Sequence, residues 1–155
     1  MSQSERTKRI YEEFNTLKNS KYISIVKCEF KNGDINNWDV FFEGSTGSPY
    51  EDGIFHVLVK LPPGFPQERP YLYFQTKMFH PNIKMSDGLV SLNLMYEWAS
   101  IKTTIERVFY GVIEIMEDPS PDRGHGEEPQ QLLKKDRDQF FKKVLEYTYK
   151  YAMSD

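Results

Sequence analysis

Near the start of the chain Ile10, Phe14 and Leu17 recur at helical spacing, with Lys8, Arg9, Glu12 and Glu13 on the other faces. This pattern predicts an amphipathic helix over Glu5 to Lys18. The period then changes to two. Val26, Cys28 and Phe30 form one alternating set, Trp38, Val40 and Phe42 a second, and Phe55, Val57, Val59 and Leu61 a third. Each set shares one face of a strand, and Asn32-Gly33 and the Gly44 to Gly53 region separate the sets as turns, so three antiparallel strands are expected. Pro62, Pro63, Pro66 and Pro70 bracket a loop before a fourth short strand, Tyr71 to Phe74, because proline cannot donate to a sheet ladder.

Residues 75 to 100 carry little periodicity. A loop of that length inside a compact domain tends to be functional. Thr103 to Glu106 reads as a capping box for a helix that places Ile105, Val108, Phe109, Val112 and Met116 in the core, and Asp118-Pro119-Ser120-Pro121 stops it. Leu132 and Leu133 predict a short helix, and Asp136 caps a last one that turns Phe140, Val144, Leu145 and Tyr151 toward the core. The order of helix, four strands, long loop and two to three helices is an α+β arrangement. No internal repeat interrupts it, and a single domain over residues 1–155 is expected.

Composition narrows the functional classes. At 155 residues folding buries roughly 70% of the unfolded chain's surface, and 11 Phe, 10 Tyr and 2 Trp fill such a core. A net charge of -3 gives no basic stripe for nucleic acid. The apolar runs are far short of the ~20 residues that span a bilayer, and the opening residues have no signal-peptide pattern. Together with one cysteine, Cys28, which excludes an internal disulfide, this predicts a cytoplasmic or nuclear protein. Cys28 alternates with Val26 and Phe30, so it reads as a core residue and not a nucleophile. His56, His80 and His125 share no ligand spacing, and no metal is expected; His125, between Gly124 and Gly126, reads as a mobile loop residue.

Several short strings remain: Ser48-Pro49-Tyr50-Glu51-Asp52-Gly53, Pro62-Pro63-Gly64-Phe65-Pro66, His80-Pro81-Asn82-Ile83, Gly88-Leu89-Val90-Ser91-Leu92, Trp98, Asp118-Pro119-Ser120-Pro121-Asp122 and Tyr149-Lys150-Tyr151. Each is weak alone. Together, in this order, they make the chain resemble the ubiquitin-conjugating enzyme family over nearly its whole length, with Ser91 where that family carries its nucleophilic cysteine. The resemblance implies the ubiquitin-conjugating fold. It also implies the parent activity: ubiquitin, or a ubiquitin-like modifier, is accepted from an activating enzyme as a thioester and passed to a lysine or a ligase. ATP is used by the activating enzyme, so no cofactor is expected on this chain, and a monomer is expected.

The chemistry of position 91 follows from its atom. A thiol with a pKa of ~8.5 is partly thiolate at neutral pH, and its thioester stays reactive toward amines. A serine hydroxyl needs a neighbouring base, and its oxyester is a poor donor to nitrogen. By the resemblance, Asn82 either stabilises the oxyanion formed as lysine attacks or fixes the loop. His80 is read as a residue that holds the loop, with a base role as the competing reading. Arg123 stands where family members carry an acid that orients the incoming lysine, and Asp122 beside it compensates in part. On the partner side the resemblance assigns Lys8 and Arg9 to the activating enzyme. It assigns Phe65, Gln67, Ala99 and Ser100 to the loops that meet a ligase or a second conjugating enzyme, with Gln67 and Ala99-Ser100-Ile101 departing from the common pattern.

Three readings stand at this point. In one, an active-type enzyme carries serine in place of cysteine, a change that traps a stable adduct; the intact His80-Pro81-Asn82 favours it. In another, Ser91, Arg123, Gln67 and the altered loop mark a natural non-catalytic variant that binds ubiquitin or a partner. A serine hydrolase is disfavoured because no Gly-x-Ser-x-Gly elbow surrounds Ser91.

Overall fold

The computed structural model describes residues 2–153. Helix α1 runs Gln3–Lys18, and Ser2 caps it by accepting the Glu5 N–H at 3.2 Å on its hydroxyl. Its buried stripe is Ile10, Phe14 and Leu17, joined by Glu13. Strands β1 (Ile25–Lys31), β2 (Asp34–Glu43), β3 (Ile54–Lys60) and β4 (Tyr71–Phe74) pair in sequence order as an antiparallel meander. Asn32 and Gly33 both have positive φ, 53° and 76°, as the tight hairpin turn between β1 and β2 requires. In the register of β2 with β3, Trp38 faces Val59, Val40 faces Val57, and Phe42 faces Phe55, and all six are buried. Period-two alternation thus produced the core face of the sheet.

Helix α2 is the short Asn93–Tyr96, α3 is Ile105–Glu117, α4 is Glu128–Lys135 and α5 is Arg137–Tyr147, followed by one wide π-type turn, Thr148–Ala152. Phe109 of α3 meets Phe42 edge-on, with ring centres 6.2 Å apart. This is the α+β arrangement expected from the pattern, in the order of elements that the resemblance implies. The core residues of all the sheet strands and of α1, α3 and α5 belong to one buried cluster.

Four local expectations need correction. Val26 is 50% exposed because the β1–β2 register slips between Ile25 and Lys27, which turns it out of the face that Cys28 keeps. The cap of α3 is Thr104, one residue later than expected; its hydroxyl accepts the Arg107 N–H at 3.1 Å, while Thr103 accepts from Ala99. Asp136 does cap α5, and Phe140 and Val144 are buried. Leu145 lies one position, about 100°, around the helix and is 58% exposed, and Tyr151 is also on the surface. His125 is not loose: its N–H donates to the Pro81 carbonyl at 3.0 Å, and its ring nitrogen lies 3.2 Å from the Leu89 carbonyl oxygen.

Candidate active site

The long segment between β4 and α3 is irregular in sequence but tightly bonded in space. Leu89 and Val90 run beside the sheet, with the Val90 N–H donating to Leu72 O at 3.0 Å, and this short extended piece delivers Ser91. Gly88 makes the approach possible. Its φ is +81°, its carbonyl accepts the Phe74 N–H at 2.8 Å, and a Cβ there would collide with the Phe74 carbonyl.

His80 is fully buried beneath the segment. Its Nε2 is 2.7 Å from the Ile115 carbonyl, which can only accept, so Nε2 carries the proton and Nδ1 accepts the Asn82 N–H at 2.9 Å. Both ring nitrogens are spent, and burial pushes the ring's pKa down to about 4. The ring is therefore neutral and has no free nitrogen for Ser91. Tyr50, from the Ser48-to-Gly53 string, is buried beside it and donates its hydroxyl to Phe79 O at 3.4 Å.

Asn82 and Ser91 are bonded to each other twice. The Asn82 side-chain amide donates to the Ser91 carbonyl at 2.9 Å, and the Ser91 N–H donates to the Asn82 carbonyl at 2.8 Å. The Ser91 hydroxyl meets the Tyr96 hydroxyl at 3.3 Å. Tyr96 escaped the sequence reading because α2 is too short to show a period.

The segment after α3 closes the other side. The Gly124 backbone lies so near the Pro81 carbonyl that a Cβ would clash with it, and Gln130 holds both ends of the turn, donating to Pro121 O at 3.1 Å and accepting from Gly126 N–H at 2.7 Å. Asp122 and Arg123 are exposed on this segment. Cys28 lies apart from all of this on the core side of β1, and burial pushes its thiol up to about 12. No three His, Cys, Asp or Glu side chains converge as a metal-binding group among the described residues.

The residues assigned to partners divide into surface and framework. Lys8 and Gln67 are exposed. Arg9 is half-buried: its guanidinium donates to the carbonyls of Ser100 at 2.7 Å and Thr103 at 3.2 Å and lies 3.4 Å from Glu13. Glu13 in turn accepts the Ile105 N–H at 2.7 Å, the start of α3. Ala99 and Ser100 are half-buried in that loop. Phe65, expected on a partner face, is corrected to the core. It is 1% exposed, packs 5.9 Å from the Trp98 ring and lies under the Arg9 guanidinium, while the Trp98 indole donates to Pro66 O at 2.7 Å. Arg6 also holds this loop through Pro62 O and Phe65 O. Ile101 is 92% exposed beside Ser100 and forms the apolar tip of the loop. Its signal in the sequence was an isolated apolar residue after Trp98 with no periodic neighbour.

Comparison with known proteins agrees with this fold. A family model for ubiquitin-conjugating enzymes matches residues 9–148. The ubiquitin conjugating enzyme E2 B of Dictyostelium discoideum is 37% identical over 119 residues, covering 77% of this chain and 80% of that protein. Among solved structures, the E2 domain of a Toxoplasma gondii ubiquitin conjugating enzyme superposes with a TM-score of 0.84 at 26% identity, over 94% of this chain and 98% of that one. A Plasmodium yoelii chain described as a ubiquitin conjugating enzyme superposes with a TM-score of 0.87 at 27% identity over the full length of both. With the matched model spanning most of the chain and the sheet, the buried histidine and the Asn82–Ser91 pair in place, the chain belongs to the ubiquitin-conjugating enzyme family.

Proposed function

We propose that residue 91 is the modifier-acceptor position of this chain and that, with serine there, the chain forms no thioester and passes no modifier to lysine. The observation that carries this reading is where the nucleophiles are. The lone thiol, Cys28, is buried with its pKa pushed up to about 12, and the group at the end of the Gly88–Val90 approach is a hydroxyl. A hydroxyl needs a base, and the nearest imidazole in sequence, His80, has no free nitrogen. Any adduct at Ser91 is a stable oxyester. The family works with ubiquitin, an activating enzyme and ligases in general. In our reading Lys8 and the exposed face of α1 meet the activating enzyme, and Gln67 with the 99–101 loop meets a ligase or a second conjugating enzyme. The chain takes no cofactor, the activating enzyme consumes the ATP, and the chain acts as a monomer.

A second reading, a non-catalytic module that binds ubiquitin or an active conjugating enzyme, is favoured by Arg123. A cation exposed beside Asp122 repels the ammonium of an incoming lysine. The test incubates the unsubstituted protein with activating enzyme, ubiquitin and ATP and examines the products with and without reductant. We expect no reductant-sensitive adduct, and such a band would overturn the reading.

A further inference from the structure

We infer that Tyr96, steadied by Arg69, positions the side chain at residue 91 and stabilises negative charge on its reacting atom. This deepens the reading of residue 91 as the acceptor position and rests on it. The Tyr96 hydroxyl, 3.3 Å away, is the only hydrogen-bond partner of the Ser91 hydroxyl among the described residues. Tyr96 is 67% exposed, so core packing does not account for an aromatic residue there. Its ring is nevertheless held. The Arg69 guanidinium stands 4.5 Å from the Tyr96 ring centre and 5.2 Å from that of Tyr71 on β4, so one cation ties the end of α2 to the sheet. Met95, buried next to it, anchors α2 from below.

The other polar groups around position 91 are committed elsewhere. His80 is neutral with both nitrogens bonded, the Asn82 amide is on the Ser91 carbonyl, and His125 lies on the Leu89 carbonyl. Asp87 accepts from the Leu89 N–H. From the segment after α3, Asp122 and Arg123 are exposed and make no side-chain hydrogen bond among the described residues, and Glu97 is exposed beyond Tyr96. That leaves the phenol as the side-chain group on the atom at 91, with the Arg69 cation behind it; either hydroxyl can donate while 91 is neutral, and the phenol is the donor once the atom at 91 is charged. A hydrogen bond donated to the charged form favours that form, and a nearby cation adds to it. The Tyr96 phenol is itself held below its ordinary range, first by the Ser91 hydroxyl donating to its oxygen and then by Arg69. When the phenol turns to donate to a charged atom at 91 only the Arg69 contribution remains, and it is the one that makes the phenol a better donor.

The test uses Ser91→Cys, where a thiol reports on the site directly. Its alkylation by iodoacetamide is followed from pH 6 to 10 in S91C, S91C/Y96F and S91C/R69Q. The unsubstituted protein supplies the background from buried Cys28. Y96F keeps the ring and its stacking on Arg69 and removes only the hydroxyl. The alkylation midpoint should rise by at least ~0.5 pH unit in S91C/Y96F, about a threefold loss of thiolate at fixed pH, and by a smaller amount in S91C/R69Q. An unchanged midpoint in S91C/Y96F, with thermal stability also unchanged, would overturn the inference. The assay contains no modifier, ATP or activating enzyme, so the two claims can fail separately. A raised midpoint in an S91C protein that cannot be charged contradicts the acceptor reading of residue 91 and not the Tyr96 bond. Normal charging with an unchanged midpoint contradicts only the role of Tyr96.

Discussion

His80 links the chemistry of one ring to the stability of the whole site. Its folded pKa of about 4 lies below the ordinary 6.5 because burial disfavours the imidazolium. The native state therefore binds fewer protons than the unfolded state between these values, and the stability this residue contributes is complete above pH 6.5 and lost as pH falls toward 4. The loss attributable to His80 is about 3 kcal/mol. Glu13 acts in the opposite sense: burial raises its pKa, so its contribution is greatest at low pH and declines as pH rises through its folded value. NMR of the imidazole separates the two. The His80 ring should keep its Nε2–H form unchanged from pH 8 to 5, and a ring that titrates near 6.5 in the folded protein would contradict the bonding of both nitrogens. The sequence could place His80 in a loop-holding role only by resemblance, since no local pattern reveals that Ile115, on a distant helix, supplies its partner.

At the scale of elements, the joint between α1 and the loops beside it depends on Arg9. Replacing Arg9 with alanine removes the donors to Ser100 and Thr103 and leaves the Glu13 carboxylate buried without its cation. We expect a cost of about 3 kcal/mol in urea unfolding. Lys8→Ala, on the exposed face with only a 4.0 Å contact to Glu12, should change stability by no more than ~0.5 kcal/mol. Equal stabilities for the two variants would mean that Arg9 is plain surface charge. Helices and strands with a sustained period were legible: α1, α3 and the alternating faces of β2 and β3 fall where spacing puts them. The failures were at scales the period does not reach. A one-residue bulge turned Val26 outward, adjacent threonines exchanged capping roles, and the four residues of α2 carried no repeat. Phe65 was assigned to a partner surface by resemblance, yet it is sealed by Trp98 and Arg9, two residues distant in sequence from it and from each other.

For the molecule as a whole, the scaffold of a conjugating enzyme is present, and we propose that a hydroxyl at residue 91 stands where the family's chemistry calls for a thiol. The buried histidine, the reciprocal Asn82–Ser91 bonds and the glycine-permitted approach along Leu89–Val90 all deliver residue 91 to the surface of the site. The family was readable because its strings lie in order along the chain. The surroundings of residue 91 were not, because Arg69 and Tyr96 come together only through the fold. The most direct measurement restores the thiol: Ser91→Cys is incubated with activating enzyme, ubiquitin and ATP, and its intact mass is recorded before and after reductant. The account predicts one added modifier, located at residue 91 and removed by reductant, where the unsubstituted protein gains none that reductant removes. An S91C protein that remains as inert as its parent would contradict the assignment of residue 91 as the acceptor position.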